Sequence, residues 1–336
     1  MPGPVDVALV SLGTTAGLRR ADDAFAAGLR AAGVSCDVMA VRIGGAGALR
    51  RQRSVTDLVE ALAARRAPRV DARVTVFSTV TAALLQRRAG PYAVRFDAPA
   101  ALNRQGISGA WQRRAERRAL AGARALFPWS AAAGDAAPGT APRVVVPVPI
   151  EEAGGGAERD VDALAYAGDP AKRGLDVVCE AWEAARPEAR LLVTGIEEER
   201  ARAWLGRRGI VPPRGIEFAG PVERAEWLAL AGRARVFVNA SRWEDHGLSQ
   251  LEALSAGALL VTTPSPGPYA ALPIARELAP RLVDADLATA LAAGLSMPTP
   301  EAADYRDRAA AALAPYRPAA VQRLIAEGVV PALGLG

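Results

Sequence analysis

One pattern occurs twice in this chain, and it narrows the fold more than any other. Residues 5–41, "VDVALVSLGTTAGLRRADDAFAAGLRAAGVSCDVMAV", read as an apolar strand, a glycine-containing loop, an amphipathic helix, a glycine stop and a second strand. Such a unit implies a parallel sheet covered by helices. Further strands are predicted at "RVTVFST", "YAVRF", "ALFPWS" and "RVVVPV", with helices over 54–66, 80–88 and 110–123. After the glycine-rich stretch "EEAGGGAERD" the pattern restarts with "VDALAYAGDPAKRGLDVVCEAWEAA" and continues through "ARLLVTG", "GIEFAG", "RVFVNAS" and "ALLVTT". The expectation is an α/β protein of two tandem Rossmann-like domains, each a doubly wound parallel sheet, facing each other across a cleft. The boundaries are a first domain over 1–150, a linker over 151–160, a second domain over 161–300 and C-terminal helices over 301–336 that cross back to the first. A chain of 336 residues exceeds what one core normally serves, which agrees with two domains.

Composition excludes several classes. Half of the residues, 51%, are apolar and 23% are charged, so the chain is globular rather than disordered. No uninterrupted apolar run is long enough to span a bilayer. The start, "MPGPVDVALVSLG", lacks a basic lead before a long apolar stretch and does not read as a signal peptide. Cys36 and Cys179 lie far apart without CxxC spacing, which points to free thiols in a reducing cytoplasm. Residues 1–150 carry 21 Arg against 10 Asp or Glu, a net of +11, while the whole chain nets +5. That basic half leaves open a peripheral contact with the inner face of a membrane, beside the plainer reading of an Arg-rich solvated surface. Aromatic residues do not interleave the arginines, so nucleic acid is not an expected partner.

Candidate chemistry belongs on the loops that follow strands, because ligands of open α/β sheets bind beyond the strands' carboxyl ends. "SRWEDHGLSQLEALSAG", 241–257, is such a loop and helix. The helix is predicted to start near Leu248 and to stop at Gly257, leaving the amides of Gly247, Leu248 and Ser249 at a positive helix end suited to an anion. Asp245 reads as a helix cap. Glu244 stands on the loop, and Glu252 lies one turn into the helix, about 6 Å along its axis. "GDPAKRG", 168–174, also follows a strand and opens a helix, with the adjacent cations Lys172 (the chain's single lysine) and Arg173. Two cations there suit the developing charge of a leaving diphosphate. "TTPSPGPY", 262–269, offers Gly267 for close backbone approach. In the first half, "LGTTAG" brings Gly13 to a loop after a strand, and "RFDAPAALNR" ends a strand at Asp97, with Arg104 further on. Asp97 suits an acceptor contact or a structural cap equally. Helix 110–123 is expected to place Arg114, Glu116, Arg117 and Arg118 on its outer faces.

"EDHGLSQLEAL" resembles the Glu, seven residues, Glu signature of retaining glycosyltransferases of family 4, which have the GT-B fold. The similarity runs through "YAGDPAKRGLD", "IEFAGPVERAEWLALAGRARVFVNAS" and "AGALLVTT", and covers 161–275. The resemblance implies that Glu252 binds the ribose of a nucleotide-sugar and that Glu244 contacts the donor sugar near the reacting carbon. The amides of Gly247 to Ser249 would meet the diphosphate or sugar, and Val222 stands where such enzymes hold the base. It further implies a first domain that binds a hydroxyl acceptor, be it a small molecule, a glycan or a lipid-linked sugar. The sequence departs from the family's pattern at Asp169 and Arg173, at Asp245, and at His246, where an aromatic is common.

One histidine excludes His-rich metal sites and an ordinary Ser-His-Asp triad. "DAD", 284–286, reads as a helix cap rather than a metal motif, so neither a metal nor a further cofactor is expected. On the sequence, a sugar-nucleotide epimerase and a non-catalytic nucleotide-sugar or polyanion binding module stay open beside the transferase.

Overall fold

The structure is a computed structural model describing residues 4–43, 53–67, 70–86, 90–151, 158–185 and 188–335. The described chain divides into two compact units, Met1–Pro149 with Pro318–Gly336, and Ile150–Arg317.

In the first unit, strands β1 (Val5–Ser11), β2 (Cys36–Ala40), β3 (Ala72–Phe77), β4 (Tyr92–Phe96) and β5 (Ala125–Pro128) form one parallel sheet in the order β2-β1-β3-β4-β5. Helices α1 (Ala16–Ala31), α2 (Arg53–Arg65), α3 (Val80–Ala83), α4 (Ala100–Asn103), α5 (Ala110–Ala121) and α6 (Ala131–Ala136) connect them. The three central strands carry mostly apolar residues, with Val7, Leu9, Val74, Val76, Ala93 and Val94 buried, as suits strands covered on both faces. Thr15, Thr79 and Ser130 each start a helix by accepting an amide three residues on, which sets those strand-to-helix turns. Two expectations need correction. "RVVVPV" forms no strand beyond an isolated bridge of Arg143 to Leu126, because prolines at 142, 147 and 149 interrupt the donor row. The helix expected over 80–88 ends at Ala83, and its residues 87 and 88 lie outside the described residues.

In the second unit, β6 (Val161–Tyr166), β7 (Leu191–Thr194), β8 (Ile216–Gly220), β9 (Ala234–Asn239) and β10 (Leu259–Thr262) pair in the order β10-β9-β6-β7-β8, again all parallel. The connecting helices are α7 (Leu175–Ala185), α8 (Glu198–Gly206), α9 (Arg224–Arg233), α10 (Leu248–Ser255), α11 (Ala271–Leu278), α12 (Leu287–Leu295) and α13 (Thr299–Ala312). Asp286 of "DAD" caps α12, accepting from the Ala288 amide at 3.1 Å. Strand order reverses between β6 and β9, so chain leaves their carboxyl ends in opposite directions and a crevice opens there. The loops 168–174 and 240–247 follow those two strands.

The tail behaves in two ways. α13 stays with the second core, where Tyr305 and Ala309 are buried and the Tyr305 hydroxyl accepts the Leu260 amide. From α14 (Pro318–Leu324) onward the chain joins the first unit's core through Val321, Ile325, Val329, Val330 and Leu333. Ile325 seats on α1 at Gly28, where an added methyl would stand 2.4 Å from its terminal carbon. Of the expected linker, 152–157 lie outside the described residues. Both cysteines are free and buried, and burial pushes the Cys36 thiol up to about 11 and that of Cys179 to about 12. Among the described residues no helix is long and apolar enough to cross a membrane.

Candidate active site

The loop after β6 is shaped by Asp169, whose carboxylate accepts the amides of Ala171 and Lys172, each at 3.1 Å. Its carbonyl accepts the Arg173 amide at 2.8 Å. The residue standing where the family commonly has a cation thus folds the turn that presents the two cations behind it. Gly174 closes the loop at φ +63°, with its Cα so near β9 that an added Cβ would lie 2.1 Å from the Ala240 carbonyl oxygen. The loop after β9 docks in return: the Arg242 amide donates to the Lys172 carbonyl at 2.9 Å, and its guanidinium reaches Ala171 and Asp176.

Two ion pairs cross between these loops. Lys172 Nζ lies 2.8 Å from Asp245, and Arg173 pairs with Glu244. Asp245 therefore does not cap a helix, as its sequence position suggested; it holds the lysine, and the Trp243 indole N–H holds its other oxygen at 2.6 Å. Glu244 is 3% exposed, against the expectation of an open loop carboxylate. The Ser241 hydroxyl stands 3.1 Å from it, and Gln250 Nε2 donates to it at 2.7 Å. The arginine plane lies 5.4 Å from the Tyr166 ring centre. Behind Glu244 the backbone is pinned by the loop after β10: its amide donates to Pro266, and a Cβ on Gly267 would stand 2.2 Å from its carbonyl oxygen. Gly267 serves a backbone-on-backbone contact. A buried carboxylate tied to arginine, serine and glutamine has one orientation, which makes it a rigid acceptor.

α10 is preceded by Gly247 in the left-handed conformation (φ 85°, ψ 49°), a cap residue with no side chain to offer the first turn. The Tyr269 ring packs on Gly247, where a Cβ would come within 2.6 Å of it. Burial drives the Tyr269 phenol well above its ordinary range, so it stays a neutral hydroxyl beside Thr262. Leu248 and Ser249 are half-buried, and the Ser249 hydroxyl donates to Gln250. Lys172 and Arg173 thus face the loop that leads into α10, at the exits of two neighbouring strands. His246 is turned inward, 3% exposed, with its ring 6.4 Å from that of Tyr316. Glu252 is also inward, at 4% exposure. Its carboxylate takes the Trp227 indole N–H at 2.8 Å on one oxygen and Arg224 at 2.8 Å on the other. Val222 is half-buried at the turn before α9.

The family model for glycosyl transferases group 1 matches residues 162–297. This segment is a glycosyl transferases group 1 domain. It is the domain of a transferase, and the two-sheet architecture is that of the GT-B glycosyltransferases. Sucrose-phosphate synthase from Thermosynechococcus elongatus superposes with a TM-score of 0.74 at 16% identity, over 99% of this chain and 100% of that one. WaaG, a glycosyltransferase involved in lipopolysaccharide biosynthesis, gives 0.66 at 15% identity over 96% and 100%. An α,α-trehalose-phosphate synthase (UDP-forming) from Burkholderia xenovorans, in complex with glucose-6-phosphate, gives 0.58 at 16% over 78% and 73%. No curated protein sequence matches the chain.

The glycosyltransferase domain holds Lys172, Arg173, Val222, Glu244, His246, Gly247, Leu248, Ser249, Glu252 and Gly267. Gly13, Asp97 and Arg104 belong to the other unit. Gly13 turns at φ +52° with its carbonyl held by Arg19 at 2.7 Å. The Asp97 carboxylate accepts the Ala98 amide at 2.8 Å. Arg104 is engaged bidentately by Asp57, at 2.5 and 2.9 Å. Glu116 corrects the expected outer face of α5: it is 1% exposed and accepts the amides of Ala100 and Ala101 at the start of α4. Burial raises its carboxyl to about 7, against the lowering effect of those amides. Arg95 is buried on β4 against Asp22 at 3.1 Å, sandwiched by Phe25 and Trp129, and burial lowers it to about 10. The sequence reading missed Arg224, Trp227, Gln250 and Tyr166. Arg224 and Trp227, three apart on α9, do share a helix face, but a charge and an indole on one face carry no address for their partner.

Proposed function

We propose that the chain transfers a hexose from a UDP- or GDP-sugar to a hydroxyl acceptor with retention of anomeric configuration and without a metal. The observation that carries this reading is the pairing of Lys172 and Arg173 with the loop that leads into α10, whose cap residue is a glycine, at the exits of β6 and β9. A diphosphate is the ligand that this combination of two cations and a positive helix end suits best. Glu244, held rigidly by Arg173 and Gln250, is the acceptor for donor-sugar hydroxyls. In the reaction the bond from the anomeric carbon to the diphosphate oxygen breaks, and a bond to the acceptor oxygen forms on the same face. The leaving oxygen takes the acceptor's proton while Arg173 and Lys172 offset the charge gathering on the diphosphate. Glu252 reads the ribose. The UDP-forming trehalose-phosphate synthase among the structural relatives, bound to glucose-6-phosphate, is in keeping with such a donor and a sugar acceptor.

A thermal-shift panel of UDP and GDP tests the donor. At about 100 times its dissociation constant, a true ligand adds roughly 2.7 kcal/mol. Turnover of UDP- and GDP-hexoses with candidate acceptors, followed by NMR of the product's anomeric proton, then tests the chemistry. An inverted linkage overturns the mechanism, and an isomerised nucleotide-sugar without acceptor overturns the transferase reaction in favour of an epimerase.

A further inference from the structure

Two of the groups on the Glu252 carboxylate, Trp227 and Arg224, differ in their freedom to leave it. Trp227 is 7% exposed and wedged edge-on between Tyr166, with ring centres 5.9 Å apart, and Phe237 at 5.7 Å. Its indole N–H lies 2.8 Å from one carboxylate oxygen, held there by the packed ring. Arg224 begins α9, and its side chain, 34% exposed, reaches the other oxygen at 2.8 Å from the solvent side. A part-exposed guanidinium on a flexible stem gains little from a single carboxylate contact and exchanges readily with water or another donor. A ribose diol is a paired donor that competes for the same oxygen.

We propose that Trp227 is the fixed seat and Arg224 the displaceable clasp of Glu252, and that the two set this site's selectivity for ribose. The inference rests on the reading of Glu252 as the ribose contact. Binding of a ribonucleoside diphosphate then requires Arg224 to swing off, so the apparent affinity is the intrinsic one reduced by the fraction of molecules whose clasp is open. Trp227 holds the carboxylate in place while the exchange happens. A 2′-deoxy nucleotide, lacking half of the diol, leaves the guanidinium in place and binds without the Glu252 contact, so removal of the clasp benefits it less.

Calorimetric titration with UDP, GDP and their 2′-deoxy counterparts tests this. Arg224→Met keeps the stem and removes the charge; it is expected to tighten ribonucleotide binding about two- to five-fold while changing the deoxy forms less. Trp227→Phe keeps the ring packing and removes the N–H; the ribose-to-deoxyribose preference is expected to shrink with kcat moved less than KM. In a Glu252→Gln background, Arg224→Met is expected to have no effect. Weaker binding of both nucleotide types by Arg224→Met, or an unchanged preference in both variants, overturns the clasp while leaving the donor site standing. Failure of the unaltered protein to bind either UDP or GDP overturns the donor reading, and the clasp with it.

Discussion

Arg173 joins Glu244 and the Tyr166 ring within one residue's reach, so its replacement separates charge from packing. Arg173→Met is expected to lower kcat/KM about 10²–10³-fold, the cost of one lost donor to developing charge. Steady-state kinetics against the thermal midpoint checks this, and Arg173→Lys restores only part, since a lysine cannot reproduce the two-pronged contact. Glu116 is a second residue with a readable consequence. In the fold its carboxyl titrates at about 7, raised by burial from 4.5, with Arg104 and Arg117 the facing cations. Between those values the folded protein holds the proton that the unfolded chain has released. Its contribution is therefore full below about pH 4.5 and is lost as the pH rises through 7. Glu116→Gln keeps an acceptor for the Ala100 and Ala101 amides and removes the titration. The variant is expected to gain on the order of 1–3 kcal/mol relative to the parent between pH 5 and pH 8, as denaturant midpoints across that range will show.

At the scale of elements, the site is two loops joined by close backbone approach as well as by crossing ion pairs. Gly174 at φ +63° lets the 168–174 loop lie against β9's exit, and any Cβ there would collide with Ala240. Gly174→Ala is expected to cost about 2–4 kcal/mol, from left-handed strain and overpacking together. Gly209→Ala is the control: φ is +74°, but nothing lies within 4 Å, so only the strain of about 1–2 kcal/mol remains. Urea unfolding of the two variants makes the comparison. Thr15 and Ser130 each start a helix by accepting an amide three residues on, a bond that is local in sequence. Asp245 misled: a short acid before a helix reads as a cap, yet Lys172, 73 residues away, outcompetes the local amides for it.

At the scale of the whole molecule, the last residues complete the first core. A chain ended after Arg317 loses Val321, Ile325, Val329, Val330 and Leu333 from that core, on the order of 10 kcal/mol of burial and comparable to a domain's entire stability. Limited proteolysis of such a truncation is expected to leave only the Ile150–Arg317 unit resistant. What the sequence determined alone is what periodicity and short-range bonds encode: the strands of both sheets, the doubly wound plan, the helix that stops at Gly257, and the two strand-exit loops where chemistry belongs. Those signals sit within a few residues of one another, so no knowledge of the fold is needed to read them. The tertiary structure alone decided which charges meet. Strand order puts the exits of β6 and β9 side by side, and so pairs Arg173 with a glutamate 71 residues on and lays Arg224 and Trp227 on Glu252. A side chain's type says that it needs a partner, whereas only the path of the backbone says which one comes within reach.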